Sequence, residues 1–299
     1  MTALIQLVIK YDLDDEALLD CVVLQTYLLE KEKDVLSADT TQQRVELIKA
    51  ILTTNVDEVE AKLADIPADD LDATLQTALH AASLAESAEL TKLFLDRGAS
   101  PKPTTPHQCT ALHHASFSGD FGIVKLLLDS GADPYARDAD GSIPLNIAIG
   151  RGLETVETTK YLIQHHGFGR EYTSTTPALI TAWGTMAGTI TGSYTHTSWR
   201  KGVEEETSFE VIPWADEEEE TSVGKAPTFI GAGRDGVSPF EVYGSLYGEN
   251  QVVWVKLYGG SNGGWLYSGT VDLDTKTIAG SWGTNPQLWY GTFKLKCET

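Results

Sequence analysis

The chain has 299 residues, 41% of them apolar and 22% charged, and a formal charge of −21. This length holds one large or two ordinary domains, and the apolar share is enough for a core in each, which excludes wholesale disorder. The charge is −13 over residues 1–170 and −8 over residues 171–299, so neither part has the basic face that nucleic acid or an anionic bilayer requires, and neither is an expected partner.

Residues 14–34, with Leu18, Leu19, Val22, Val23, Tyr27 and Leu28 at three- and four-residue intervals, read as an amphipathic helix. Its expected role is to cover the open end of a helical stack, and residues 1–41 are taken as an N-terminal helical cap. No signal peptide and no apolar run long enough to span a bilayer is read.

A repeat begins next. Thr77-Ala78-Leu79-His80 returns as Thr110-Ala111-Leu112-His113, and Gly98-Ala99 returns as Gly131-Ala132, both displaced by 33 residues. Ile143-Pro144-Leu145-Asn146 starts a third copy, and residues 46–64 read as a degenerate earlier one. A fixed period of this length is the mark of a solenoid. The motif, the leucine-rich second helix at Ile123–Asp129 and the Gly-Ala turn resemble the ankyrin repeat, over about residues 42–169. The copies depart from that pattern: Ala78 and Ala111 replace proline, Asn146 replaces histidine, and Glu86 stands where Gly119 and Gly152 stand.

The resemblance implies protein binding through the inner helix face and the finger tips. Mapped onto this chain, the inner positions are Ala81, Leu84, Ala85, His114, Phe117, Ser118, Ile147, Gly150 and Arg151, and the finger carries Tyr135, Arg137, Asp138 and Asp140. Leu84, His114, Phe117, Tyr135 and Arg137 are the expected protein-binding residues. For His80 and His113 the resemblance implies that they brace the turn; His165 and His166 lack a Cys or carboxylate at metal spacing.

All seven tryptophans and 18 of the 27 glycines lie after residue 170, so a different architecture is expected over residues 171–299. A two-residue alternation replaces the helical period and marks strands at 189–197, 207–212, 228–233, 240–247, 253–258, 265–273, 277–283 and 288–296. Tight turns between them imply an antiparallel meander, closed into a barrel or paired as a sandwich, and glycines inside the strands favour the curvature of a barrel. The last fifty or so residues, with Gly280-Ser281-Trp282-Gly283 and Gly291-Thr292-Phe293, resemble calycin or avidin-type barrels. The fold class is thus α + β and multidomain: an ankyrin-like α-solenoid followed by an antiparallel β-barrel or sandwich.

The aromatic residues of this domain suit either a core or a pocket for an apolar or ring-shaped ligand. Tyr243, Trp254, Tyr258, Trp265 and Tyr267 are the ligand-binding candidates. No Walker loop, nucleophile elbow, Rossmann fingerprint or zinc motif occurs, and no cofactor or metal is expected. For an enzyme needing only a cavity and one acid or base, the candidates are His196, Asp235, Glu241 and Lys256. The glycine-rich stretch 231–236 reads as a hairpin turn, and the acidic runs 204–206 and 216–220 as solvated loops. Three cysteines, Cys21, Cys109 and Cys297, match neither a zinc motif nor a disulfide framework, which points to a reducing compartment, cytoplasm or nucleus. The expected function is a binding protein whose repeats contact a protein and whose β domain recognises a ligand; the alternative is a cofactor-independent isomerase, cyclase or hydrolase acting in the barrel cavity.

Overall fold

The computed structural model describes residues 38–66, 68–105, 107–151, 155–166, 168, 179, 183–184, 188–196, 204–213, 229–235, 238–258, 264–285 and 288–298. The expected cap helix at 14–34 and the acidic run at 216–220 lie outside them. The chain divides into two compact units, Met1–Ala139 and Asp140–Thr299.

The first unit is built of helix pairs: α1 Ala38–Leu52 with α2 Val56–Ala64, α3 Ala68–Leu84 with α4 Ala88–Asp96, and α5 Ala111–Ser118 with α6 Phe121–Asp129. Leu47, Ile51, Leu79, Leu90, Leu112, Ile123 and Leu127 recur at the period read from the sequence and are fully buried. Helices α1, α3 and α5 pack in succession while α4 packs on α6, so each pair buries the apolar face its neighbour leaves open. Second helices start on side-chain caps: Asn55, Ser87 and Asp120 each accept from a backbone N–H three residues on. The first Thr-Ala-Leu-His copy does not open a short helix, because α3 starts nine residues before Thr77 and runs through it.

Within each pair the chain reverses through a left-handed residue, and the period shows again in the backbone: Thr54 has φ 52°, Glu86 φ 56° and Gly119 φ 84°. Glycine adopts that conformation freely, whereas a Cβ there meets the following carbonyl.

The second unit begins with a further helix pair, α7 Pro144–Arg151 and α8 Val156–His166. Eight strands come after it: β1 Thr189–His196, β2 Glu204–Pro213, β3 Phe229–Asp235, β4 Pro239–Tyr247, β5 Gln251–Tyr258, β6 Gly264–Asp272, β7 Thr277–Asn285 and β8 Leu288–Glu298. Each pairs antiparallel with the next, and β1 also pairs with β8, which closes the barrel. Closure leaves no strand edge unpaired.

Two expectations are corrected by the strands. Gly231, Gly233 and Asp235 belong to β3 rather than to a turn, and Glu204, Glu205 and Glu206 belong to β2 rather than to a loop. The reason at Gly233 is close packing: a Cβ there would run into Phe209 on β2. At Gly244 the space a Cβ would take is filled by the ring of Phe229.

The inward residues divide the barrel lengthwise. Where β1 starts, the interior is apolar, with Ile190, Val211, Phe229, Leu246, Val252, Val271, Ile278 and Leu295 in one buried cluster that also takes in Leu179 and Trp183. Trp183 packs on Phe229, ring centroids 4.8 Å apart. Where β1, β3, β5 and β7 finish, the inward side chains are Tyr194, Asp235, Lys256, Tyr258 and Trp282. Between the ends, register places Trp254 opposite Tyr267 and Tyr267 opposite Trp282. Their rings stack in sequence, at 5.0 Å and 6° for the first pair and 6.3 Å and 26° for the second.

The outer face of β5 is buried as well, through Val253, Val255 and Leu257. Helix α7 packs on β6 and β7, and Lys160 of α8 forms an ion pair with Glu241 of β4 at 2.8 Å.

Replacing Glu86 by glycine removes the left-handed strain at one reversal. We expect Glu86→Gly to raise stability by about 1 kcal/mol in denaturant titration of the whole chain; an unchanged or lower midpoint would show that Glu86 holds its conformation without cost.

Candidate functional site

The polar end of the barrel is assembled from five strands, β1 to β5. Lys256 projects inward from β5, and its side chain is only 3% exposed. A charge buried that far requires a partner, and Asp235 at the end of β3 supplies it, its own side chain fully buried. The ammonium also donates to Thr207 Oγ1 of β2 at 3.2 Å. Tyr258, two residues along β5, donates its hydroxyl to Asp235 Oδ2 at 2.6 Å.

Aromatic rings complete the enclosure. The Lys256 nitrogen lies 3.8 Å from the centroid of Phe240 and 5.1 Å from those of Tyr194 and Tyr258, within the range of cation–π attraction. Tyr194 in turn donates to Glu205 Oε2 at 2.7 Å. Burial pushes the Lys256 ammonium down to about 8, against the opposing pull of the hydrogen bond and charge of Asp235. Tyr194, Tyr258 and Tyr267 are all held above the ordinary phenol range, chiefly by burial.

Next to Lys256 is a cavity of about 10 Å³, lined by Tyr194, Thr207, Phe209, Trp254, Lys256, Tyr267, Phe293 and Leu295. That volume is room for about one water. Among the described residues the barrel interior is thus packed with aromatic and aliphatic side chains, and this small recess sits beside the Lys256 ammonium.

The structure brings Asp235, Lys256, Trp254, Tyr258 and Tyr267 together here. Trp265 sits at the same end but only partly buried, with Trp282 at 5.3 Å and Tyr290 at 5.9 Å between ring centroids. Glu241 and Tyr243 are on the outer face: Tyr243 donates to Glu241 at 2.9 Å, and the Lys160 ammonium holds the Glu241 carboxyl below its usual range. Burial and the Glu241 hydrogen bond raise Tyr243 to about 12. His196 ends β1. Thr207, Phe240, Tyr194 and Glu205 were not among the sequence candidates; the strand alternation that contains the first three was visible, but not which face turns inward, and Glu205 fell in the acidic run read as a loop.

On the repeats, Leu84, His114 and Phe117 are buried, with exposures of 5%, 6% and 5%. Arg137 is exposed and Tyr135 half-buried. His113 lies at the start of α5, where its Nδ1 accepts from the backbone N–H of Thr110 at 3.0 Å. Asn146 does the same in the next copy, accepting from the N–H of Ile143 at 3.0 Å, which explains how an amide replaces the histidine there. His80 bonds through Nε2 to the carbonyl of Pro103 at 3.2 Å, and its ring meets that of His114 edge-on at 5.1 Å.

Two measurements test these interiors. Asp235→Asn leaves Lys256 buried without its counter-charge and is expected to cost about 3–5 kcal/mol by denaturant titration, with part of the loss recovered in the Lys256→Met/Asp235→Asn double variant; strictly additive losses would show that the two charges are not coupled. Burial lowers His80 from 6.5 to about 4, so the folded chain keeps it neutral while the unfolded chain takes up a proton below pH 6.5. The stability this neutral ring carries is complete above pH 6.5 and is lost as the pH falls toward 4, by about 3 kcal/mol at this residue. The check is the difference in pH dependence between the wild type and a His80→Gln variant, and identical curves would refute it.

A family model, Ankyrin repeats (3 copies), matches residues 35–138. No curated protein matches the chain. Among the described residues no helix is long and apolar enough to cross a membrane, and no cluster of His, Cys, Asp or Glu has the arrangement of a metal site. Residues 35–138 are ankyrin repeats, a module of protein–protein interaction, and the same chain carries a closed eight-stranded antiparallel β-barrel in its C-terminal part.

Proposed function

We propose that the chain is a two-ligand binding protein of the cytoplasm or nucleus: its ankyrin repeats hold a protein partner, and its barrel recognises a small molecule at the end that carries Lys256. The observation that carries the second half is the recess beside Trp254, where a buried ammonium meets a water-sized cavity. Barrels of eight strands either fill their interior or keep space for one small ligand, and the described rings around this recess form one buried cluster. The partner surface is assigned to the finger, where Arg137 and Asp140 are exposed and Tyr135 and Asp138 half-buried, because Leu84, His114 and Phe117 are covered in the chain itself. Acidity in both halves favours a protein over a nucleic acid on that surface.

A second reading, a cofactor-independent enzyme, draws on the same recess. Lys256, Asp235 and Tyr258 are a hydrogen-bonded set of ionisable groups, and a proton moving among them is the basis of acid–base chemistry.

The two halves are tested separately. Affinity capture with the full chain is expected to retain a specific protein that a Tyr135→Glu/Arg137→Glu variant of unchanged circular dichroism loses; retention by the variant overturns the finger assignment. For the barrel, tryptophan emission is expected to respond to a small molecule in the wild type and not in Lys256→Met, since Trp254 lines the recess; an equal response in both removes Lys256 from the site.

A further inference from the structure

We propose that Lys256 and Asp235 are the two halves of a self-formed covalent cross-link: the lysine nitrogen condenses with the aspartate side chain to give an amide and one water. The bond is a modification of the chain itself and goes beyond what its two parts bind.

The barrel holds the two reacting groups against each other. Lys256 comes from β5 and Asp235 from the end of β3, with β4 between the two strands. The lysine nitrogen contacts Asp235 Oδ2, and both side chains are buried. Phe240, Tyr194 and Tyr258 present their rings to the nitrogen. Strand pairing thus turns a bimolecular encounter into an intramolecular one, which is the largest help a condensation can receive. The enclosure keeps out the bulk water that drives the reverse reaction. Condensation also removes a buried pair of charges, and desolvation is the main cost of such a pair.

The neighbouring groups match the product as well as the ion pair. Tyr258 donates to Asp235 Oδ2 at 2.6 Å, and Thr207 Oγ1 lies 3.2 Å from the lysine nitrogen. An amide has one carbonyl oxygen and one N–H; Tyr258 serves the first and Thr207 the second, so neither is left buried without a partner. The cavity beside Lys256 has room for about one water, the molecule that the reaction releases.

The ammonium passes one proton to the carboxylate, leaving a neutral amine beside a neutral acid. Burial lowers this ammonium to about 8, so the amine is accessible near neutral pH. The amine lone pair forms the C–N bond to the carboxyl carbon, and the π electrons move to Oδ2, where the Tyr258 hydroxyl stabilises the charge. The other carboxyl oxygen, already carrying the first proton, takes a second from the nitrogen and leaves as water while the electrons on Oδ2 restore the carbonyl. Ammonium and carboxylate thus become a neutral amide and water, with no change of oxidation state.

The test is mass spectrometry of the full chain. Trypsin cuts an unlinked chain after Arg234, Lys256 and Lys276. An amide at Lys256 removes the middle cut, so the expected product is a peptide of residues 235–276, lighter than its sequence by one water. Further cleavage after Glu241 and Glu249 is expected to leave the fragments holding Asp235 and Lys256 joined as one species; this arm uses the wild type alone and does not depend on a variant folding. Lys256→Met is expected to have the full mass of its sequence. An intact mass equal to the sequence, with complete cleavage after Lys256, overturns the proposal. A water loss that persists in Lys256→Met also overturns it, because Asp235 precedes Gly236 and the loss is then a succinimide between those two residues.

Discussion

The barrel depends on the interlocking of inward aromatic rings with inward positions that have no side chain. A closed eight-stranded sheet has an interior of fixed width, and the rings of Trp254, Tyr267, Trp282, Phe293, Phe229 and Phe240 are too many for it unless some inward positions are empty. Gly244 gives its space to Phe229, and Gly233 lets β3 press onto Phe209. Register brings these positions together, so the aromatic stack across β5, β6 and β7 is a result of strand pairing as much as of composition.

The same constraint makes the Lys256 pair consequential. In an interior otherwise packed with rings, the ammonium is out of water, and its stability rests on Asp235, Thr207 and three aromatic faces. Desolvation acts against the charged form and the carboxylate acts for it, with desolvation the larger of the two. A polar cluster kept at such cost at one end, while the described inward residues of the other end are apolar, gives the barrel a chemical direction.

The repeats solve a different problem by the same economy of local rules. Each of the three helix pairs of the first unit reverses through a left-handed residue, and the chain keeps that geometry at Thr54 and Glu86 without glycine. Asn146 takes over the hydrogen bond that His113 makes one copy earlier. Both cases show the backbone requirement persisting while the residue type drifts, which is why the degenerate pair at α1 and α2 was legible from spacing rather than from motif. The first Thr-Ala-Leu-His copy lies inside the longer α3 rather than at its start, unlike the second copy, whose Thr110 caps α5.

The sequence by itself determined the period of the repeats, the change of architecture after them, the strand positions to within a few residues and the antiparallel order. These depend on neighbours along the chain, whose alternation and turn chemistry are local. It did not decide which face of a strand turns inward, since β5 is apolar on both sides: Trp254 and Tyr258 fill the barrel while Val253, Val255 and Leu257 are buried on its outer face. For that reason Glu241 and Tyr243, grouped with Lys256 as candidates, fall on the opposite surface, where Glu241 pairs with Lys160 of α8 and Tyr243 donates to Glu241. Nor did it pair Lys256 with Asp235, or set Tyr267 beside them, because their strands come together only when the sheet curls and closes. Tertiary structure decided the site, for the physical reason that the inside of a barrel exists only once β1 has met β8.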